Sequence, residues 1–153
     1  MIKFKLFLLF LFFIIQGCGY QSIHKTKISD FTIINVETIG DKKISRYLEN
    51  SFERFKDNQK SNNIYEIITT SQVNKTILSK NSAGVSENLS LKITVNIKIK
   101  ENGNIIREKL FKENARYSNL VNKFELKQYE KIIIKDQTAK IIHKIILFIS
   151  SIK

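Results

Sequence analysis

The stretch Leu89-Ser90-Leu91-Lys92-Ile93-Thr94-Val95-Asn96-Ile97-Lys98-Ile99-Lys100 decides the fold, because its aliphatic and polar residues alternate without a break. Successive side chains of a β-strand point to opposite faces, so all of the aliphatic residues share one face. Burying one such side chain contributes about 1.5–3 kcal/mol. The stretch is therefore predicted to be a strand with one face against a core.

Strands are predicted on both sides of this one. Glu101-Asn102-Gly103-Asn104 contains the Asn-Gly pair that is preferred in tight hairpin turns. Residues 105–117 then return as the partner strand, and their less regular alternation indicates a β-bulge. Before the central strand, residues 64–78 are predicted to form a long strand, and residues 80–87 (KNSAGVSE) form the turn between the two.

Two segments have the spacing of amphipathic helices. Between residues 42 and 56, apolar residues recur at intervals of four, four and three, which predicts a helix; they are Ile44, Leu48, Phe52 and Phe55. A second helix is predicted from about residue 125 to residue 150. Its expected buried face consists of Thr138, Ile141, Ile142, Ile145, Phe148, Ile149 and Ile152.

Three apolar residues of the second helix fall outside that face: Ile132, Ile133 and Leu147. They indicate either that the phase of the helix slips or that the helix has a second apolar surface.

The first strand completes the expected fold. Residues 31–37 (FTIINVE) are mostly apolar and rich in β-forming types, as in a strand covered on both faces, and Gly40-Asp41 ends them. A right-handed crossover would pair the first two strands in parallel and place both helices on one side. The prediction is an α+β two-layer sandwich, a four-stranded mixed sheet with two helices packed on one face (β-α-β-β-β-α).

The N-terminus has the pattern of a secretory signal. Lys3 and Lys5 precede the unbroken apolar run Leu6–Ile15, which at ten residues is too short for a bilayer core of about 20 residues. Residues 1–17 are therefore predicted to be a lipoprotein signal peptide, residues 18–29 a lipidated tether, and residues 30–153 a single domain.

The only cysteine lies at the end of this signal. Ile15-Gln16-Gly17-Cys18 resembles the bacterial lipobox, in which the cysteine thiol receives a diacylglycerol. Cys18 is therefore the predicted lipid attachment site, with a buried structural cysteine as the alternative; a lone cysteine cannot form a disulfide within one chain. Gly19 follows where aspartate commonly signals retention at the inner membrane, so by analogy the expected location is the periplasmic side of the outer membrane.

The chain is basic, with 26 Lys and Arg against 14 Asp and Glu and a net charge of +12. This charge permits binding to nucleic acid, acidic lipid or phosphate without selecting one of them. The two histidines are far apart in the sequence, and no glycine-rich phosphate loop is present, so we expect no metal, no cofactor and no enzymatic activity.

One basic cluster is predicted at the hairpin. Lys98, Lys100, Arg107 and Lys109 flank its tip, and pairing of the two strands is expected to bring them together near Gly103. Such a cluster suits a phosphate or carboxylate. The alternative is an ordinary solvated hairpin whose lysines discourage aggregation.

The whole pattern resembles the LptE family of lipopolysaccharide-assembly lipoproteins. The similarity begins at GCGYQ (residues 17–21) and continues through IGDKKISRYLENSFERF (39–55). It extends to the two long strands YEIITTSQVNKTIL and LSLKITVNIKI, the strand REKLFKENARYS and the C-terminal amphipathic helix.

The resemblance implies a lipoprotein that sits inside an LptD-type outer-membrane β-barrel as its plug and assembly partner, and that engages lipopolysaccharide during export. It makes Ile132, Ile133 and Leu147 the candidate contacts to the barrel wall. It also makes the hairpin cations the candidate contacts to lipopolysaccharide: Lys98, Lys100, Arg107 and Lys109. Two alternatives remain. The first is a periplasm-facing envelope lipoprotein that acts as a scaffold or binds peptidoglycan or protein. The second is a nucleic-acid binder, against which the secretion signal and the lack of aromatics for stacking on the central strand both argue.

Overall fold

The computed structural model describes residues 31–56, 61 and 63–152 of the chain. The predicted signal peptide (1–17), the tether (18–29) and Cys18 lie outside these residues. The elements are β1 (Phe31–Gly40), α1 (Lys42–Phe52) with a following 3-10 turn (Glu53–Phe55), β2 (Asn63–Lys80), β3 (Ser86–Glu101), β4 (Asn104–Ser118) and α2 (Lys123–Ser150).

The sheet has the order β1-β2-β3-β4. β1 pairs with β2 in parallel, whereas β2–β3 and β3–β4 are antiparallel. Both helices pack on one face of this mixed sheet, which confirms the predicted α+β arrangement. The core lies between the layers, and the alternating aliphatic residues of β3 are buried in it as predicted.

β1 differs from its prediction, because the helices cover only one face of the sheet. Its register against β2 shifts between Ile33 and Asn35, so that Ile34 is an extra residue. Phe31 and Ile33 face the core before this bulge, Val36 packs against the core after it, and Ile34 is 58% exposed. The unbroken apolar run therefore reflects a β-bulge. Residues 31–33 are buried on both faces, and the expected burial on both faces is wrong from Ile34 onward.

α1 follows β1 through a tight connection. The carboxylate of Asp41 caps the helix by accepting hydrogen bonds from the backbone N–H groups of Lys43 (2.9 Å) and Ile44 (3.1 Å). Ile44, Leu48 and Phe52 are fully buried and Phe55 nearly so, as their spacing predicts.

α2 buries a row of residues that turns gradually around the helix. Its members follow one another mostly at intervals of four, and four residues advance about 40° beyond one full turn. The row runs through Leu126, Ile133, Gln137, Ile141, Ile145 and Ile149. A drifting row of this kind keeps a long helix in contact with a twisted sheet.

This drift corrects the prediction for Ile133. That side chain is only 8% exposed and belongs to the core, because the buried face of the first half of α2 is rotated away from that of the second half. Ile132 (56% exposed) and Leu147 (58%) do lie off the buried face, as predicted.

The β3–β4 hairpin has the expected turn and the expected bulge. Asn102 and Gly103 both have positive φ angles (50° and 80°), the conformation for which Asn-Gly is preferred. The register shifts between Ile99 and Lys100, so that Ile106 is the extra residue on β4.

Candidate functional site on the open face of the sheet

The helices leave one face of the sheet uncovered among the described residues. This open face is mostly polar. In β2 it carries Glu66, Ile68, Thr70, Gln72, Asn74 and Thr76, and in β3 it carries Ser90, Lys92, Thr94, Asn96, Lys98 and Lys100. In β4 it carries Ile105, Glu108, Leu110, Lys112, Asn114, Arg116 and Ser118.

The four predicted cations do not form one cluster. Arg107 is opposite Ile99 and Lys109 is opposite Ile97, and both isoleucines are fully buried, so these two cations belong to the helix-covered face. Lys98 and Lys100 belong to the open face. The expectation that the four converge near Gly103 is therefore wrong.

The bulge at Ile106 is the physical reason. One inserted residue moves every following side chain of a strand to the other face. Without the insertion, Arg107 would be opposite Lys98 and would share its face; with it, Glu108 takes that place.

The hairpin half of the open face is balanced in charge. The Nζ atom of Lys98 lies 3.9 Å from a carboxylate oxygen of Glu108, which also accepts a hydrogen bond from the Asn96 amide at 2.7 Å. Lys100 is opposite Glu66 on β2. Each of the two predicted open-face cations thus has a carboxylate beside it.

Lys109 has a role within the helix-covered layer. Its ammonium group lies 5.4 Å from the ring centre of Phe111 and 4.7 Å from that of Phe148. The two rings meet edge to face at 6.0 Å. Lys109 thus joins β4 to α2 by cation–π contacts and is not available to the open face.

A different set of cations stands on the open face without carboxylates beside it. Lys92 of β3 is opposite Asn114 of β4, and Lys112 and Arg116 are the neighbours of Asn114 along the same face. We call Lys92, Lys112 and Arg116 the cationic triad. Along a strand, same-face neighbours are about 7 Å apart.

Asn114 is held in place at the centre of the triad. Its Oδ1 accepts a hydrogen bond of 2.6 Å from the Ser90 hydroxyl, which leaves the Nδ2 group as a donor among the three cations. Sequence reasoning missed this set because its members are far apart in the chain and meet only in the bulged register. The signal available in the sequence was the placement of Lys112, Asn114 and Arg116 at every second position.

The helix-covered face holds a polar network at the same end of the sheet as the cationic triad, on the opposite face. The carboxylate of Glu130 on α2 accepts hydrogen bonds from the Tyr117 hydroxyl, at 2.7 Å, and from the Lys75 ammonium group. Burial alone would raise the pKa of Glu130, but these hydrogen bonds, with the charges of Lys75 and Lys43, outweigh it and lower the pKa. Burial and the Glu130 carboxylate raise the pKa of Tyr117.

A cleft of about 330 Å³ lies between α1 and α2. Tyr47, Ile142 and Ile146 form apolar walls, and Arg54 and His143 give it a basic edge. The residues that line it include no carboxylate or thiol that could act with His143.

Across residues 31–56, 61 and 63–152, no group of three or more His, Cys, Asp or Glu side chains is placed to hold a metal ion. No helix in that part of the chain is long and apolar enough to cross a membrane.

The fold is shared with solved structures of bacterial lipoproteins. Rare lipoprotein B from Shewanella oneidensis matches with a TM-score of 0.59 at 11% identity, over 76% of this chain and 94% of that one. A minor lipoprotein from Acinetobacter baumannii matches with a TM-score of 0.60 at 15% identity, over 78% and 91%. A lipoprotein B from Nitrosomonas europaea matches with a TM-score of 0.60 at 16% identity, over 80% and 86%.

By sequence, no family model and no curated protein matches the chain. The structural similarity at these identities establishes a common fold.

Proposed function

We propose that this protein is an outer-membrane lipoprotein of the LptE type, which assists lipopolysaccharide assembly and export as the plug and partner of an LptD-type β-barrel. The observation that carries the proposal is the shared fold, which extends over three quarters or more of the chain in several bacterial lipoproteins. One of them is a rare lipoprotein B, a name of the LptE family. The lipobox-like sequence at Cys18 and the resemblance of the elements that follow support the same assignment independently.

The surface of the domain suits a polar barrel lumen. Large outer-membrane barrels have polar interiors, and the open face presents mainly hydroxyl, amide and ammonium groups. The exposed Ile132 and Leu147 are the proposed contacts to the barrel wall. Ile133 is withdrawn from that set because it is part of the core.

The proposed ligand, lipopolysaccharide, carries phosphate groups that cations bind well. Of the four cations predicted for this contact, Lys98 and Lys100 lie on the open face beside carboxylates, whereas Arg107 and Lys109 lie on the opposite face. Lys98 and Lys100 are thus the two that a ligand on the open face can reach.

A pull-down from detergent-solubilised outer membranes tests the proposal. We expect full-length tagged protein to recover one large β-barrel protein, and the Cys18→Ala variant to lose both palmitate-analogue labelling and the barrel. Recovery of no barrel by a protein that is still labelled would contradict the LptE-type role.

A labelled protein that recovers no barrel is the result expected for the second candidate function. That candidate is an envelope lipoprotein that acts as a scaffold or binds peptidoglycan or protein. The shared lipoprotein fold is compatible with it. A nucleic-acid platform is less well supported, because the open-face positions of β2, β3 and β4 set out above include no aromatic side chain on which bases could stack.

A further inference from the structure

β4 is an edge strand whose outer side is open. The sheet order is β1-β2-β3-β4, so no strand in the part of the chain that the structure describes pairs with that side. Every second residue of an edge strand directs its N–H and C=O groups away from the sheet, where another strand can pair with them. After the bulge at Ile106, the register against β3 is regular from Arg107 to Ser118. This part of β4 can therefore serve as a template for a further strand.

Charged residues of β4 are placed symmetrically about Leu110. Glu108 and Lys112 are each two positions from Leu110 and belong to the open face. Arg107 and Glu113 are each three positions away and belong to the helix-covered face, because their partners on β3 are buried isoleucines. In both pairs, the two residues have opposite charges, lie on the same face and are equally far from Leu110.

This arrangement is complementary to itself. When two identical strands pair antiparallel about a two-fold axis at one residue, positions equally far from that residue are opposite each other in the two copies. With the axis at Leu110, Arg107 of each copy is opposite Glu113 of the other, and Glu108 is opposite Lys112. Each contact occurs twice, so both faces of the joined sheet carry pairs of opposite charge. Such directly opposed pairs stabilise strand pairing.

The residue at the axis is apolar and exposed. Leu110 is 49% exposed, although the open face around it is mostly polar. In the paired arrangement the two Leu110 side chains meet across the axis, which removes apolar surface from water. On the helix-covered face, Lys109 is then opposite Phe111 of the second copy, and its ammonium group already lies 5.4 Å from the Phe111 ring of its own chain.

Other registers are less favourable. Moving the axis to Lys109 or Lys112 would place a lysine directly against its own copy, which opposes pairing. Moving the axis to Phe111 would leave only Lys109 and Glu113 as opposed residues of opposite charge. The other edge strand, β1, has Glu37 as its only charged residue, so it offers a second copy no opposite charge. The charges of β4 therefore match best about Leu110.

We propose that two copies of the free protein associate through the outer edges of β4, antiparallel and about a two-fold axis at Leu110. The two four-stranded sheets then form one continuous sheet. The bulge at Ile106 limits the pairing to residues 107–113 of each copy, because an inserted residue interrupts the ladder. Lysines on an edge discourage pairing with strands of other sequence. The inference goes beyond the proposed function, since it concerns the protein before it meets a barrel.

Sedimentation equilibrium of the full-length protein in a density-matched neutral detergent, over a series of protein concentrations, tests the proposal. We expect the parent to form dimers. Glu108→Lys and Lys112→Glu each turn two attractive pairs into two repulsive ones, so we expect each variant to dimerise at least about tenfold more weakly. A parent that stays monomeric at every concentration would overturn the proposal.

Mixing these two single variants gives the most specific result. In a mixed dimer, one copy has only positive and the other only negative side chains at positions 108 and 112, so both open-face contacts again join opposite charges. We expect the mixture to form heterodimers although each variant alone dimerises weakly. The double variant Glu108→Lys with Lys112→Glu should dimerise within about threefold of the parent. If neither the mixture nor the double variant recovers dimers, the register is wrong and the proposal fails.

Lys92→Glu is the matched control, because it makes the same change of charge on the open face of β3, one strand inward from the edge. We expect it to dimerise as the parent does. Weakening equal to that of Lys112→Glu would assign the effect to net charge and overturn the proposal. Thermal unfolding of every variant checks that the fold is retained. Recovery of the barrel, measured separately, reports on the proposed function alone, so either idea can fail without the other.

Discussion

Gly40 joins β1 to α1 in a backbone conformation that side chains oppose. Its φ angle is +111°, and a Cβ atom at this position would overlap the carbonyl group of Ser71. The same serine accepts a hydrogen bond of 3.1 Å from the Asp41 N–H through its hydroxyl oxygen. A single residue thus lets the edge strand turn directly into a capped helix.

Replacing Gly40 with Ala should lower the free energy of unfolding by at least about 2 kcal/mol, because backbone strain and steric overlap add. Gly84→Ala is the matched control, since Gly84 also has a positive φ (+79°) but nothing lies near its would-be Cβ. It should cost about 1 kcal/mol. Urea unfolding measures both, and equal losses would show that the Ser71 contact does not matter.

Glu130 is a second residue for which the effect of a single substitution on stability can be measured. Its pKa in the folded protein is below the ordinary value of 4.5. A carboxylate with a lowered pKa stabilises the fold above that ordinary value, and the contribution is lost as the pH falls through the folded-state pKa. Glu130→Gln should therefore lower the stability at neutral pH by about 1–2 kcal/mol.

The same variant should also show a smaller loss of stability between neutral pH and about pH 3 than the parent does. Urea unfolding across this range measures the slope. Glu37→Gln, at an exposed position of β1, serves as the control and should leave the slope unchanged. A parent-like slope in Glu130→Gln would assign the acid sensitivity to other groups.

At the scale of elements, α2 shows how a helix and a sheet fit each other. The buried residues of α2 are spaced mostly four apart, so the buried face rotates around the axis along the 28 residues of the helix. A helical wheel with one fixed buried face therefore describes the second half of α2 but not the first. Adjacent residues in the first half therefore differ sharply: Ile133 is buried, whereas Ile132 is exposed.

This difference gives a direct test. Ile133→Ala should lower the free energy of unfolding by about 2–4 kcal/mol, because it opens a cavity in the core. Ile132→Ala changes the same atoms one position away and should cost less than about 0.5 kcal/mol beyond helix propensity. Losses of similar size would mean that the drift of the row is not as described.

At the scale of the whole molecule, one layer of helices covers one face of the sheet and leaves the other open. The outward side of the helix layer carries Ile132 and Leu147, the proposed contacts to the barrel. The far end of the open face carries the cationic triad. The proposed barrel contact and the triad therefore lie on different surfaces of the domain.

Replacing Ile132 and Leu147 together with Ser should reduce recovery of the barrel in the pull-down without lowering the unfolding temperature, because both side chains are exposed. Ile34→Ser with Ile39→Ser removes two exposed isoleucines from β1 and is the control. The proposed contact is excluded if the control reduces recovery as much as the test variant does.

The sequence by itself determined the order of the elements, the buried faces of β3 and α1, the hairpin turn and the bulge in β4. These follow from local rules, since periodicity and turn preferences act between residues a few positions apart. The same local rules give the lipobox-like pattern at Cys18, whose lipidation stays a prediction.

Only the tertiary structure decided which side chains meet across strands and layers. The open-face cations depend on a register that one inserted residue reverses. The burial of Ile133 depends on the twist of the sheet beneath α2, and the open face of β1 depends on the packing of both helices on one side of the sheet. Each is set by packing between segments far apart in the chain, for which the local pattern carries no signal.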